Sequence, residues 1–507
     1  MRPRPPIWQQ ITSTLKLPTF SRTEIYAGTA ACALGALAAV GAAVGGKLGI
    51  IGVVGVLALI VATYVGMYHP LWLVYTMVVT VTTLPFGSFP GVHLPIYLVC
   101  GAGAMLALLL YPRHTRRHSA LMSAVLVLIV LSGLSMVVTY SSPVNIVDFA
   151  KWALATGAMF VLLALPNDEL VKIGKAIVYA CAFSGLVGLV SVAQGTTRWA
   201  FKPFAILGYH ADDHFYFTGA TQSASSSGGR FDLGQNSQTF QRLGGLWADP
   251  NGAGIGLVIG LAIAAIVFVG WQRVTLMSLL SVCILLTLSR AALISVLVGA
   301  ALVFVFHNMR ARDRQIMIGT LFVAGATAML IPAVRTRLMG SLGENDAGAS
   351  DRIAAIREFP WRLGNHWIFG RGWSLREFKD GPYAFEQNFV SNAPLIAVHR
   401  GGLVAGLAFV AVIIVGCIVA AKLIRSDSLP HAFFGGVFMA FSIIALNLDH
   451  PVVVIPQMAF MYTFFLVFLQ YSDELRRSGA LDSPQLAAVP KSVAAQDRSP
   501  QLPAASG

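Results

Sequence analysis

Asp249-Pro250-Asn251-Gly252-Ala253-Gly254-Ile255-Gly256-Leu257-Val258-Ile259-Gly260-Leu261 opens a run that reaches Trp271 without one charged side chain. An Asp followed by Pro in front of an apolar run reads as a helix start, with Asp249 as N-cap and Pro250 at the first helical position. The run that follows is long enough to cross a ~30 Å hydrocarbon core. Runs of the same kind recur from Thr23 to Leu469, and they decide the fold class: an all-α, polytopic membrane protein of about 12–14 spans. Composition agrees. Of the 507 residues 56% are hydrophobic and only 11% charged, against roughly 25% charged in soluble domains.

We place spans at 24–45, 48–68, 70–85, 95–112, 119–139, 146–165, 174–194, 251–271, 274–288, 290–307, 315–332, 392–420, 430–447 and 452–470. With the N-terminus in the cytoplasm, the short basic loops at Arg113–His118, Lys172–Lys175, Gln272–Arg273, Met309–Arg314 and Lys422–Arg425 all fall inside, as does the tail with Arg476 and Arg477. That is the positive-inside bias, and it also accounts for the net charge of +13 without invoking nucleic acid. The chain therefore divides into a basic cytoplasmic leader (1–22), an N-terminal bundle (23–194), an extracytoplasmic loop (195–250), central helices (251–332), a large extracytoplasmic loop (333–391), C-terminal helices (392–471) and an Ala/Pro/Ser-rich cytoplasmic tail (472–507) that reads as disordered. The five cysteines, Cys32, Cys100, Cys181, Cys283 and Cys417, sit inside apolar spans without CxxC spacing, so neither a disulfide framework nor a zinc site is implied.

Arginines gather at three places on the face that this topology puts outside. Arg242 precedes Gly244-Gly245 and the Asp249-Pro250-Asn251 helix start, Arg290 follows Ser289 at a tight turn between two spans, and Arg352 and Arg371 lie in the second loop, the latter within Gly370-Arg371-Gly372. An arginine at bilayer level costs roughly 2.5–3.5 kcal/mol at a helix centre, so several on one face need anionic partners. Each taken singly has a plainer reading. Asp249 is a helix cap, Arg290 a side chain snorkelling to headgroups, and the loop arginines partners for Asp351, Glu358 or Glu377. Asp351 to Phe359 has helical spacing of Ile353, Ile356 and Phe359, with Pro360 as a stop, and reads as a short helix on the membrane surface. His210 to His214 could hold a metal but is more simply a solvated loop. Asp148 and Lys151 could pair at the start of a span, and Asp449 reads as a helix cap.

The order of these motifs (Arg-x-Gly, then Asp-Pro-Asn opening a span, Ser-Arg opening a later one, then an outer loop with Arg, Gly-x-Gly and a polar-Asn pair) resembles the O-antigen ligase and polymerase superfamily of the bacterial envelope, over about residues 195–410. The resemblance implies transfer of a saccharide from a polyprenyl-pyrophosphate carrier to an acceptor hydroxyl on a glycan or glycolipid, outside the bacterial cytoplasmic membrane, with no cofactor and no metal. It implies that Arg242, Arg290 and Arg352, with Arg371 beside them, hold the donor pyrophosphate, supported by Asp249, Asn251 and Ser289. The family's His-Asn pair before the next span is here Gln387-Asn388. Glutamine takes no proton, so Glu386 is the first candidate base, His399 the second, and positioning by Gln387 and Asn388 alone the third. Ligase and polymerase would need the same donor site. A transporter is disfavoured because charges are few within the spans and concentrated outside them. A transferase with an acidic pair in its first outer loop is disfavoured because Gly45-Gly46-Lys47 holds no acid.

Overall fold

A computed structural model describes residues 60–89 (without 62), 95–110, 118–194, 202–207, 242–247, 249–309, 311–330, 347–374, 392–448 and 451–481, with single positions at 35 and 335. The chain divides into a unit up to Trp72 and a much larger one from Leu73 onward. Within the first, residues 63–68 are helical and Tyr64 packs its ring on Tyr68.

The larger unit is built of helices: α1 (Pro70–Thr83), α2 (Ile96–Leu110), α3 (Ala120–Val138), α4 (Pro143–Leu163), α5 (Asn167–Gln194), α6 (Pro250–Val267), α7 (Gly270–Thr287), α8 (Arg290–Phe306), α9 (Ala311–Leu330), α10 (Ala347–Leu363), α11 (Ala393–Ile424), α12 (Leu429–Ala440, running on to Leu448), α13 (Pro451–Val454) and α14 (Pro456–Arg477). Among the described residues seven helices are long and apolar enough to cross a membrane, and none of the described residues forms a strand ladder. The protein is an all-α polytopic membrane protein.

Helix α6 is the axis of the bundle, buried on every side and packed against α5, α7, α8, α12 and α14. Its glycines explain how one helix serves so many neighbours. A Cβ at Gly252 would lie 2.8 Å from Met458, at Gly254 2.8 Å from Ser289, and at Gly260 2.8 Å from the sulfur of Cys181. Small residues let apolar helices approach closely where hydrophobic burial alone distinguishes nothing from lipid. On the other flank α11 packs on α3 and α12, and α14 packs on α4.

Several boundaries differ from expectation, for local reasons. Helix α5 starts at Asn167 rather than 174, because Asp168 and Glu169 suit a helix N-terminus and Lys172 pairs with Glu169 at 2.8 Å, so the expected basic loop is helix. Spans 274–288 and 290–307 are separated at Leu288, which takes a left-handed conformation with φ of 52°. Pro360 does not stop α10; the helix continues through it to Leu363 and ends where Gly364 adopts φ of 57°. Helix α11 is broken at Gly402 (φ 70°, ψ −174°), of which the apolar run from Ala393 onward gives no sign beyond the adjacent Gly401 and Gly402. Cys32, the cluster from His210 to His214, Asp449 and the tail beyond 481 lie outside the described residues.

Candidate functional site

Arg242 stands at a corner where three helices begin or end. Its Nε donates to the carbonyl of Thr287 at 2.8 Å and its Nη2 to Oδ1 of Asn251 at 2.8 Å. One guanidinium thus ties the last turn of α7 to the first turn of α6. The backbone reinforces the tie, the Leu243 N–H donating to the Leu286 carbonyl at 2.9 Å. Asp249 caps α6 by accepting from the Gly252 N–H at 2.7 Å, with Pro250 behind it. Position 245 calls for glycine twice over: φ is 56°, and a Cβ there would meet the Ser184 carbonyl at 2.7 Å. The turn that receives Arg242 runs straight into Ser289, fully buried against Gly254, and then into half-buried Arg290 as the first residue of α8. Arg242, Asn251 and Thr287 are thus bonded together, and the start of α8 at Ser289 and Arg290 lies against the first turn of α6.

A second corner forms where the loop after α10 meets the break in α11. The break frees backbone groups that the loop then satisfies. Arg371 N–H donates to the His399 carbonyl at 2.7 Å, and Leu403 N–H donates to the Trp367 carbonyl at 2.7 Å. Only glycines permit this approach: a Cβ on Gly402 would overlap the Ile368 carbonyl, and one on Gly370 (φ 74°) would sit 2.5 Å from the Gly402 nitrogen. The loop is pinned further to α3 and α4. Ser135 donates to the Phe369 carbonyl, Asn145 to the Trp373 carbonyl, and Ser374 to Asp148. Asp148 also pairs with Lys151 at 3.2 Å, the structural bridge that their spacing suggests.

The Gly-Arg-Gly turn presents Arg371 half-buried, its Nη1 donating to the Arg362 carbonyl at 2.8 Å. Among the described residues no carboxylate pairs with it. His399 is fully buried beside it, with Arg371, Arg400 and His366 near its imidazole. Arg400 is buried as well; it donates to the Val453 carbonyl at 2.9 Å and lies over the Trp373 ring at 4.9 Å. Trp373 in turn packs on Phe149 and Trp152. The two corners are linked through the start of α14, since Met458 touches the first turn of α6 at Gly252 while Val453, just before it, receives Arg400.

The expected site residues thus fall into groups. Arg242 is bonded to Asn251, Ser289 packs on the same first turn of α6 at Gly254 with Arg290 the next residue in chain, and Asp249 caps the helix. Arg371 and His399 come together elsewhere. Arg352 is in α10, and Glu386, Gln387 and Asn388 lie outside the described residues. Asn392 is the asparagine at the start of α11, where it caps the helix by accepting from Leu395 N–H at 3.0 Å and donates to Oδ1 of Asn447 at 3.1 Å.

Residues 274–400, from α7 to the buried Arg400, match the protein-family model described as O-antigen ligase. Over that stretch, about a quarter of the chain, the protein is similar to the O-antigen ligase family. No curated protein matches the chain. The matched stretch contains Arg290, Arg352, Arg371 and His399 and ends at the break in α11, whereas Arg242, Asp249 and Asn251 lie ahead of it and reach it through Thr287. It supports a ligase- or polymerase-type activity in polysaccharide synthesis at a membrane. Sequence reasoning missed Arg400 and Trp373. The legible signal was a charge at Arg400, well inside an otherwise apolar span and next to two glycines.

Proposed function

We propose that this protein transfers a saccharide from a polyprenyl-pyrophosphate carrier to an acceptor hydroxyl on a glycan or glycolipid, at the extracytoplasmic face of a bacterial inner membrane. The observation that carries this reading is the Arg371 guanidinium: half-buried, set by two glycines within the stretch similar to the O-antigen ligase family, and held by a carbonyl with no carboxylate among the described residues. A cation placed so at a membrane face is suited to a phosphate, which a planar guanidinium meets with two parallel hydrogen bonds.

In the reaction the acceptor oxygen attacks the anomeric carbon, the bond from that carbon to the pyrophosphate oxygen breaks, and the hydroxyl proton passes to a base. Negative charge grows on the departing pyrophosphate, and fixed guanidinium groups in a water-poor site stabilise it. Arg242, Arg290, Arg352 and Arg371 take this role. Asp249, Asn251 and Ser289 hold the first two in place: the cap fixes the start of α6, Asn251 orients Arg242, and Ser289 starts the helix that Arg290 heads. Glu386 is the base in this reading, with Gln387 and Asn388 positioning the acceptor. His399 is the second candidate, and its burial next to Arg371 suits it better to bracing that arginine than to taking a proton from a bulky saccharide.

The test is transfer by purified protein from a synthetic polyprenyl-pyrophosphate oligosaccharide, with product size as the readout. A single addition to a distinct acceptor identifies a ligase, and a ladder on the same carrier identifies a polymerase. Glu386→Gln should abolish transfer and leave donor binding intact. Full activity in that variant removes Glu386 as the base.

A further inference from the structure

Helix α10 turns Phe359 and Leu363 into the protein but leaves Ile353, Ile356 and Trp361 exposed, Trp361 to 88%. At 3.6 residues per turn these exposed side chains and Pro360 share an arc of about 140°. Arg357 is exposed within that arc, while Glu358 and Arg362 pair with each other at 3.5 Å on the far side. The apolar surface does not end with the helix, because Ile368 is 62% exposed and Trp367 also faces outward. A soluble loop has no reason to carry such a surface.

We propose that this arc, continued by Trp367 and Ile368, is an anchor seated on the lipid bilayer, its apolar side chains entering the headgroup–acyl boundary and Arg357 reaching the lipid phosphates. What says that lipid covers it is continuity with the surface next door. The segment just after Ile368 is bonded to Ser135 of α3 and Asn145 of α4, and at those same ends α3 and α4 expose Leu134, Val137, Val138, Val144 and Val147. Those valines and leucine belong to helices long and apolar enough to cross a membrane, and an exposed apolar face on such a helix is suited to lipid. The apolar arc therefore stands at the edge of the bilayer. An amphipathic helix in that place sinks roughly 5–10 Å into the boundary, tryptophans favour that depth, and an arginine in the arc can snorkel to the phosphates. The anchor is joined to the candidate site by one bond, since the Arg362 carbonyl near its end receives the Arg371 guanidinium.

The full-length protein in bilayers of phosphatidylglycerol and phosphatidylcholine tests this. The fluorescence of Trp361 is taken as the difference between the wild type and Trp361→Phe, a change that keeps the surface apolar. Shallow-brominated acyl chains should quench that difference signal, its emission should be blue-shifted relative to a water-exposed indole, and aqueous acrylamide should quench it weakly. Strong acrylamide quenching without bromolipid quenching overturns the proposal and marks a solvated loop. Insensitivity to both overturns it too, and concentration-dependent energy transfer between labelled copies would then identify a second chain as the cover.

Discussion

At the scale of single residues, Arg242 has two duties that substitution can separate. It joins α6 to α7 through Asn251 and the Thr287 carbonyl, and in the proposed reaction it faces the donor. Arg242→Lys keeps the charge but cannot make both bonds from a fork, and a hydrogen bond to a charged group contributes about 1.5–3 kcal/mol. We expect Arg242→Lys to lower the rate of transfer by roughly 10²-fold, the scale seen when one fixed donor to a developing anion is removed. Steady-state assays of donor turnover check this, with thermal unfolding in detergent run alongside to separate the loss of the tie from the loss of catalysis. Gly402 is the second decisive residue. Gly402→Ala must place a Cβ onto the Ile368 carbonyl while holding a positive-φ, extended-ψ backbone that essentially only glycine adopts, at about 1–3 kcal/mol for the backbone alone. The loop should then leave α11, seen as faster proteolysis within 364–374; unchanged proteolysis would show that the docking does not depend on the glycine.

At the scale of elements, the start of α6 was legible and the break in α11 was not, and the contrast has a physical cause. A helix start is written in local chemistry: Asp249 caps, Pro250 fits the first turn, and the structure shows both. A break held by tertiary contacts is written elsewhere, in Gly370 and Trp367 of a distant loop, so the apolar run from Ala393 carries no sign of it beyond two adjacent glycines. Pro360 misleads for a related reason. A proline removes one hydrogen bond from a helix, yet Phe359 and Leu363 are both buried, and their packing holds the last turn in register across it. The cap yields a prediction at this scale. Asp249→Ala should cost about 0.5–2 kcal/mol of stability, whereas Asp249→Asn, which keeps an acceptor for the Gly252 N–H, should cost much less. Equal losses in thermal unfolding would mean that the charge of Asp249, rather than its cap, is what matters.

At the scale of the whole molecule, the apolar runs gave the fold class, because a membrane span is a property of composition over a window and needs no tertiary information. The site was legible only as a set of costly arginines. Their division into one corner around Arg242 and Arg290 and another around Arg371, His399 and Arg400 depends on which helices meet, which no local pattern encodes. The expected topology can be tested directly. Asn365→Cys should react with an impermeant thiol reagent added outside intact cells, and Ser426→Cys only after the cells are opened; the reverse result would invert the protein in the membrane. If the arginines hold a pyrophosphate, equilibrium binding of polyprenyl pyrophosphate and polyprenyl monophosphate to the purified protein will show it. The wild type should prefer the pyrophosphate, and Arg290→Ala and Arg371→Ala should each weaken its binding by roughly 10- to 100-fold, the equivalent of one lost charge-assisted contact, with the monophosphate affected less. Equal affinity for the two lipids, unchanged in both variants, would contradict a pyrophosphate site.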